Sequence, residues 1–264
     1  MAKAGLIGHP VEHSLSPTIF RFISEQTGAR VGYALLDVGP HGLGDAVAQA
    51  RGAGFAGLNV TSPHKVTALK LAHSLSREAE EIGAVNVLKF GREGTKGCNT
   101  DGPAVLDCLA GCRVSGKSAV VFGAGGAARA AVWALGKAGA GSVVVINRHP
   151  SRAKKLVACF SSLFPRTAFT SQRGASILDA TIWVNATSAS FRCPGDGDLA
   201  FDMVYRPART LFLKSAAGKG LRCVYGLDML IFQAMRSWEL FFSRLPDKEG
   251  LRASLKRRLW RSAT

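Results

Sequence analysis

Short apolar runs alternate with stretches of helical spacing through the first hundred residues. AGLIG (residues 4–8) is followed by a helix opening at Ser16 and Pro17, then by VGYALLDV (31–38), a helix through Val47, GFAGLNV (54–60), a helix after Pro63, and NVLKF (86–90). Strand-length runs separated by helical stretches predict a layered α/β unit. Ser16 reads as an N-cap and Pro17 as the first helical turn, where proline sacrifices no intrahelical hydrogen bond. A polar loop therefore leads from the end of the first strand to a helix N-terminus.

Near residue 102 a second alternation begins. A helix through Val105 and Leu109 precedes SAVVF (118–122), a glycine turn, an alanine-rich helix and SVVVI (142–146), which together read as a βαβ unit. TIWVNA (181–186), FDMVY (201–205) and LRCVYG (221–226) extend that sheet, and helical spacing returns from Leu227 to Leu245. The last 21 residues, from Arg244, carry seven basic and two acidic side chains, the pattern of a solvated amphipathic helix more than of a nucleic-acid arm. The expectation is a two-domain α/β protein divided at 1–101 and 102–226, with helical residues 227–264 at its end.

Composition narrows the class. With 264 residues, 47% hydrophobic and 20% charged, the chain can bury a sizeable core and is neither disordered nor a disulfide-stapled miniature. No uncharged apolar stretch approaches the roughly 18 residues of a membrane span, and Glu12 interrupts the start before any signal-like region develops, so a soluble cytoplasmic protein is expected. Six cysteines without a CxxC pair read as buried free thiols, and nothing suggests a metal site. Thirty-four Lys and Arg against 18 Asp and Glu leave a net +16, which raises nucleic acid, a membrane surface or a phosphorylated small molecule as partner. Its distribution separates these: residues 1–100 carry a net +2 and residues 102–226 a net +11, so the charge follows the βαβ unit.

Within that unit, GAGGAARA (Gly123 to Ala130) lies directly between a strand and a helix. In a dinucleotide fingerprint Gly123 permits the tight turn, Gly125 lets the backbone approach a pyrophosphate, and the small Ala128 allows helix to pack on sheet. Gly123, Ala124, Gly125, Gly126 and Ala127 are thus the candidate pyrophosphate cradle, helped by the helix N-terminus. About 20 residues on, where an NAD enzyme offers a carboxylate to the ribose, stand Asn147 and Arg148, with Arg152 one turn further. Guanidinium groups there suit a 2′-phosphate, so NADP(H) is favoured over NAD(H). Lys154 and Lys155 read equally well as a solvated helix face.

In the first unit, polar residues cluster at expected strand ends: His13, Ser14 and Ser16; Asn59, Thr61, His64 and Lys65; and Asn86. Asp101 closes CNTDG. Each alone reads as a cap, a turn residue or a surface cation. Together they carry a resemblance. GHPVEHSLSP (Gly8 to Pro17), NVTSPHK (Asn59 to Lys65), GAVN (Gly83 to Asn86), NTDG (Asn99 to Gly102), GAGGAARA, NR with Arg152, NATS (Asn185 to Ser188), DMVY (Asp202 to Tyr205) and GLDMLIFQA (Gly226 to Ala234) stand in the order and spacing of the shikimate dehydrogenase family, which the chain resembles from about residue 5 to residue 245.

The resemblance implies a substrate domain, a Rossmann-type cofactor domain, and carboxy-terminal helices that return to the first domain. It implies reversible reduction of 3-dehydroshikimate to shikimate by NADPH, a step in making aromatic amino acids, on a small-molecule substrate with no nucleic acid or membrane partner. Monomer and homodimer are both compatible. Lys65 and Asp101 are implied as the catalytic pair; Ser14, Ser16, Thr61, Asn86, Tyr205 and Gln233 as substrate groups; Thr187, Met203 and Gly226 as neighbours of the nicotinamide or its ribose. Met229 reads as core. The chain departs from the family where a His-Asn pair is replaced by Phe20 and Arg21, where Ser190 replaces a glycine, at Pro103 and Ala104, and where Leu211 replaces a proline. The first departure is expected to retune the pocket wall behind the serines. Quinate or amino-shikimate oxidation within the same family is the alternative.

Overall fold

The computed structural model describes residues 1–171, 177, 179–242 and 245–263. It separates into two compact units, Met1–Thr100 with Ile231–Arg257 and Asp101–Leu230 with Arg258–Thr264. The first two divisions fall one residue before and four residues after the boundaries expected from the sequence pattern, and a third, after Arg257, groups the last residues with the second unit where 227–264 were expected to complete the first.

The first unit carries strands β1 (Ala2–Gly8), β2 (Val31–Asp37), β3 (Gly57–Val60), β4 (Ser74–Leu75), β5 (Val87–Gly91) and β6 (Gly94–Cys98), with helices α1 (Ser16–Thr27), α2 (Leu43–Gly52) and α3 (Arg77–Ile82). Their order in the sheet is β2-β1-β3-β5-β6-β4. β1 runs parallel to β2 and β3, whereas β5 is antiparallel to both β3 and β6. That reversal matters for the site. It returns the start of β5 and the end of β6 to the edge where β1 and β3 end, with Asn59 opposite Val87 and Val87 opposite Cys98.

One core layer buries Ile7, Leu58, Val60, Val85 and Leu88 against Leu43, Val47 and Ala79. Fully burying such a side chain stabilises the fold by about 1.5–3 kcal/mol. A second aromatic layer stacks Phe20 on Tyr33, with ring centroids 4.0 Å apart, and sets Phe20 against Trp238 and Phe241.

In the second unit, β7 (Ser118–Phe122), β8 (Ser142–Ile146), β9 (Ala168–Thr170), β10 (Ile182–Asn185), β11 (Leu199–Asp202) and β12 (Arg222–Tyr225) form a sheet in the order β12-β11-β10-β7-β8-β9, every pair parallel. Numbered within the unit this is 3-2-1-4-5-6, the Rossmann order, whose switch point lies between β7 and β10. β7, β8 and β10 are apolar almost throughout because parallel strands are covered on both faces. Helices α4 (Asp101–Leu109), α5 (Gly126–Lys137), α6 (Pro150–Ser161) and α7 (Leu211–Gly218) belong to this unit; α8 (Gly226–Phe241) and α9 (Lys248–Ala263) follow. Along α9, Leu251, Leu255 and Leu259 are buried at four-residue spacing and set an apolar stripe into a basic helix.

Several expectations need correction. Ser16 is not the N-cap of α1: Leu15 occupies that place with helical dihedrals and no side-chain cap, and Ser14 Oγ accepts the Ser16 amide at 3.2 Å. Ser14 therefore does the local capping, and the Ser16 hydroxyl is used elsewhere. The helix after Pro63 is a 3₁₀ segment, Thr67–Leu71, followed by β4 and by α3, which Ser76 caps through the Ala79 amide. β11 ends at Asp202, so Met203 to Tyr205 lie beyond the strand. Phe20 is a core residue, 1% exposed, and Arg21 faces solvent, so neither forms a pocket wall. Of the six free thiols only Cys98 and Cys193 are buried; Cys159 is exposed. β6, β9 and α7 escaped the sequence pattern. No helix among the described residues is long and apolar enough to cross a membrane.

Candidate functional site

The substrate candidates of the first unit gather at the carboxyl ends of β1 and β3, where open α/β sheets bind ligands. The loop after β1 carries Ser14 and Ser16. It is anchored by the His9 amide on Ser62 O (2.9 Å) and by His9 Nδ1 on Asp37 Oδ1 (2.6 Å), a contact that draws the Asp37 carboxyl below its ordinary range. The loop after β3 carries Thr61, whose amide donates to Ile7 O, and Lys65, whose carbonyl accepts the Val85 amide at 2.8 Å. Lys65 is thereby held beside GAVN. Ser14, Thr61 and Lys65 are half-buried and Ser16 and Asn86 buried, so the edge is an open row of polar groups on a closed floor.

Asn59 and His64 turn inward instead. Asn59 accepts from the Tyr33 hydroxyl at 2.8 Å and donates to Ser237 Oγ at 2.8 Å, while His64 Nε2 meets Val38 O at 2.7 Å and is 1% exposed. His13 is exposed beside Glu12. The Asn86 carboxamide is gripped at both ends by one residue: Oδ1 accepts the Thr100 amide at 2.7 Å, and Nδ2 donates to Thr100 Oγ1 at 2.8 Å. Gln233, half-buried on α8, completes the first unit's candidates.

Asp101 and Tyr205 fall in the second unit. Asp101 is 3% exposed and opens α4, where a helix N-terminus favours a negative charge. Tyr205 is half-buried, three residues past β11.

The cofactor candidates converge on the switch point. Gly123 has φ +115°, and a Cβ there would lie 2.9 Å from Ala186 O and 3.1 Å from Thr187 Cγ2, so both backbone and packing demand glycine. Its amide donates to Ile146 O, tying the loop to β8. Gly125 is a different case. It has φ −91°, and a Cβ built there meets nothing within 4 Å among the described residues. Neither backbone strain nor protein packing accounts for glycine at this position, which leaves room for close approach of a ligand. The first-turn amides of α5 lack intrahelical acceptors, and its N-cap, Gly125, offers no side chain to cap them. Such an end favours an anion, so these residues fit a pyrophosphate.

Asn185 organises the other wall. Its Oδ1 accepts from the amide and the hydroxyl of Thr187 at 3.0 and 2.7 Å, and its Nδ2 donates to Asp202 Oδ1 at 3.1 Å. Asp202 also accepts from Thr210 Oγ1 and the Val204 amide; burial nevertheless pushes its carboxyl above the ordinary range. Met203 donates its amide to Asn185 O, and a Cβ on Gly226 would lie 2.6 Å from the Met203 carbonyl, so Thr187, Met203 and Gly226 share one corner. Past β8, Asn147 Nδ2 bonds His149 O at 3.0 Å, and Arg148 and Arg152 are exposed with no ion pair among the described residues. Among the described residues no three His, Cys, Asp or Glu side chains are grouped to hold a metal.

Tyr33, Thr100 and Ser237 were missed as parts of this edge. Only Ser237 left a signal, its place one helical turn beyond Gln233.

Comparison with known proteins agrees with both halves. Residues 6–88 match the family model described as shikimate dehydrogenase substrate binding domain, and residues 108–193 match that of shikimate / quinate 5-dehydrogenase. The chain is 37% identical over 257 residues to the shikimate dehydrogenase (NADP(+)) of Moorella thermoacetica, covering 90% of this chain and 87% of that one. A crystal structure of shikimate 5-dehydrogenase from Thermus thermophilus, in complex with NADP(H) and shikimate, superposes with TM-score 0.84 at 36% identity, covering 97% and 99% of the two chains. The ligand-free 5-ketofructose reductase of a Gluconobacter strain superposes with TM-score 0.83 at 28% identity, covering 97% and 98%. A Rossmann unit with a bare α5 N-terminus and a polar sheet edge bearing a lysine thus occur in one chain with relatives matched along most of its length: the chain belongs to the shikimate dehydrogenase family.

Proposed function

We propose that the chain catalyses the NADPH-dependent, reversible reduction of 3-dehydroshikimate to shikimate, a step toward the aromatic amino acids. The observation that carries this reading is the row formed by Ser14, Ser16, Thr61, Lys65 and Asn86 at one sheet edge: hydroxyls and an amide suited to a polyol acid, with one cation among them. The cofactor is NADP(H), in keeping with the NADP(+) named for the curated relatives. When bound it supplies or removes a hydride at the substrate carbon.

Negative charge then builds on the ketone oxygen and requires a positioned proton donor. The Lys65 ammonium is assigned that proton, and in the oxidation direction the Lys65 amine takes it back. Asp101 is assigned to orient the ammonium and to offset its desolvation under bound substrate. Ser14, Ser16, Thr61, Asn86, Tyr205 and Gln233 hold hydroxyls and carboxylate, and a site built for hydroxyls rejects an analogue lacking them because its own polar groups are left unpaired. Gly123 to Ala127 cradle the pyrophosphate, Asn147, Arg148 and Arg152 surround the adenosine phosphate, and Thr187, Met203 and Gly226 border the nicotinamide end.

Mixing the protein with shikimate and NADP+ tests this: absorbance grows at the reduced-nicotinamide band if the reading holds, and a flat trace sinks it. A second reading, quinate oxidation, is favoured by the family description matched over residues 108–193. Comparable or faster turnover of quinate in a panel of shikimate, quinate and amino-shikimate would select it.

A further inference from the structure

Ser237 is fully buried on α8, a helix interior where alanine would be the better helix former and would bury no polar group. Its hydroxyl bonds the Gln233 carbonyl one turn back at 2.8 Å, a local bond that by itself does not favour serine in a helix. What distinguishes it is the pair of groups arriving from elsewhere in the first unit. Asn59 Nδ2 lies 2.8 Å away and Thr100 Oγ1 3.3 Å away.

The Ser237 proton is assigned to Gln233 O, whose 2.8 Å bond is shorter than the 3.3 Å approach to Thr100 Oγ1, and the remaining directions follow from counting protons. A serine hydroxyl has one hydrogen and two lone pairs. The hydrogen goes to Gln233 O, so Ser237 Oγ accepts from Asn59 and from Thr100. Thr100 Oγ1, its own hydrogen spent on Ser237, is then an acceptor, and it takes the Asn86 Nδ2 hydrogen at 2.8 Å. Asn59, with its amide nitrogen turned to Ser237, presents Oδ1 to the Tyr33 hydroxyl at 2.8 Å. Tyr33 has thereby given away its only proton, so it meets the Ser16 side chain as an acceptor. Burial pushes the Tyr33 phenol up, and this chain of bonds does not change sign over the working pH range.

We propose that Ser237 is a positioning residue for substrate recognition, the node through which Ser16, Asn86 and the Gln233 turn are held in one mutually consistent arrangement. The proposal rests on the reading of this edge as the polyol site. Replacing Ser237 by alanine leaves two buried donors, on Asn59 and Thr100, without an acceptor, and the cheapest relief is rotation of the groups they orient. Ser237 itself touches no reacting atom, so its loss acts through the residues it orders.

The test is steady-state kinetics of Ser237→Ala and Tyr33→Phe, singly and together, with shikimate and NADP+ varied in turn. Tyr33→Phe keeps the ring that stacks on Phe20 and serves as the variant less exposed to a folding failure. Each single change is expected to raise KM for shikimate about tenfold, the worth of roughly one buried hydrogen bond, with KM for NADP+ within twofold of wild type. The double variant should fall short of the product of the two effects, because both break one chain of bonds. A shikimate KM within twofold in Ser237→Ala, equal rises in both KM values, or a fully multiplicative double variant overturns the role given to Ser237. Absence of shikimate turnover in the wild type overturns the reading beneath it.

Discussion

The two units prepare for their ligands by opposite means. In the first, the proposed substrate row rests on side chains whose bonds are already made: Asn86 is clamped at both ends by Thr100, and Ser237, Asn59 and Tyr33 bond one another beneath it. In the second, the groups proposed to meet the cofactor are main-chain amides at the start of α5 and two exposed guanidiniums. A ring of hydroxyls demands directional partners held in place, whereas phosphates demand positive potential and room for close approach. Of the net +16, residues 102–226 carry +11 and residues 1–100 only +2, a distribution in keeping with that difference.

Perturbations should therefore separate the two units, and the largest effect belongs to the chemical step. Lys65→Ala is expected to lower kcat by about 10²- to 10⁴-fold, the usual worth of a positioned acid or base, while NADP+ binding measured by calorimetry stays as in wild type. Weaker NADP+ binding in this variant would mean that the division of labour is wrong.

Next comes the glycine pair of the cofactor loop. Gly125→Val should fold with little change in Tm, since its φ is ordinary and its surroundings open, yet lose NADP+ affinity by roughly 100-fold if phosphate oxygens occupy that space. Gly123→Val should instead lower Tm outright, because φ +115° and the neighbouring Ala186 carbonyl both oppose a side chain. Equal Tm losses for the two would erase the distinction between a packing glycine and a ligand glycine.

Replacing Arg148 and Arg152 with glutamine tests the charge argument more gently. One or two charge-assisted bonds at about 1.5 kcal/mol each correspond to about 10- to 100-fold in the NADP+ dissociation constant. NAD+ affinity should hardly move, and equal loss for both nucleotides would sink the 2′-phosphate assignment.

The smallest effect concerns Asp202. Its folded-state carboxyl titrates above the ordinary value of 3.8, so the folded state binds the proton more tightly than the unfolded state. That contribution is fully present below the unfolded value and is lost as pH rises through the folded one. Asp202→Asn lacks this loss, so its Tm deficit relative to wild type should be larger near pH 4 than near pH 7. A deficit that grows with pH would show that hydrogen bonds to the charged carboxylate outweigh burial.

Much of the fold was legible because it rests on periodicity. β7, β8 and β10 declare themselves as apolar runs covered on both faces, and the glycine loop stands where strand gives way to helix. Some of the elements that escaped have sequences that are not apolar, whereas α7 (LFLKSAAG) and β9 (AFT) are apolar but short. β6 reads GTKGC and pairs as a short antiparallel partner of β5, and α3 reads REAEEI, a six-residue helix that Ser76 caps and that buries only Ala79 and Ile82. Ser16 was legible as polar and near a helix start, but its N-cap assignment failed because Ser14, two residues earlier, reaches the amide instead.

By itself the sequence determined the α/β alternation, the location of the positive charge and the residue types of both half-sites, since each of these is a local property of composition or spacing. Tertiary structure alone decided which polar residues bond one another, and with which partners. Asn59 and Asn86 read alike in sequence, each an asparagine beside a strand, yet Asn59 is spent on Tyr33 and Ser237 whereas Asn86 is clamped at the row's edge. The reason is that a hydrogen bond between Asn59 and Ser237, 178 positions apart, exists only once the sheet and α8 have packed, and burial then leaves each donor a single acceptor to choose.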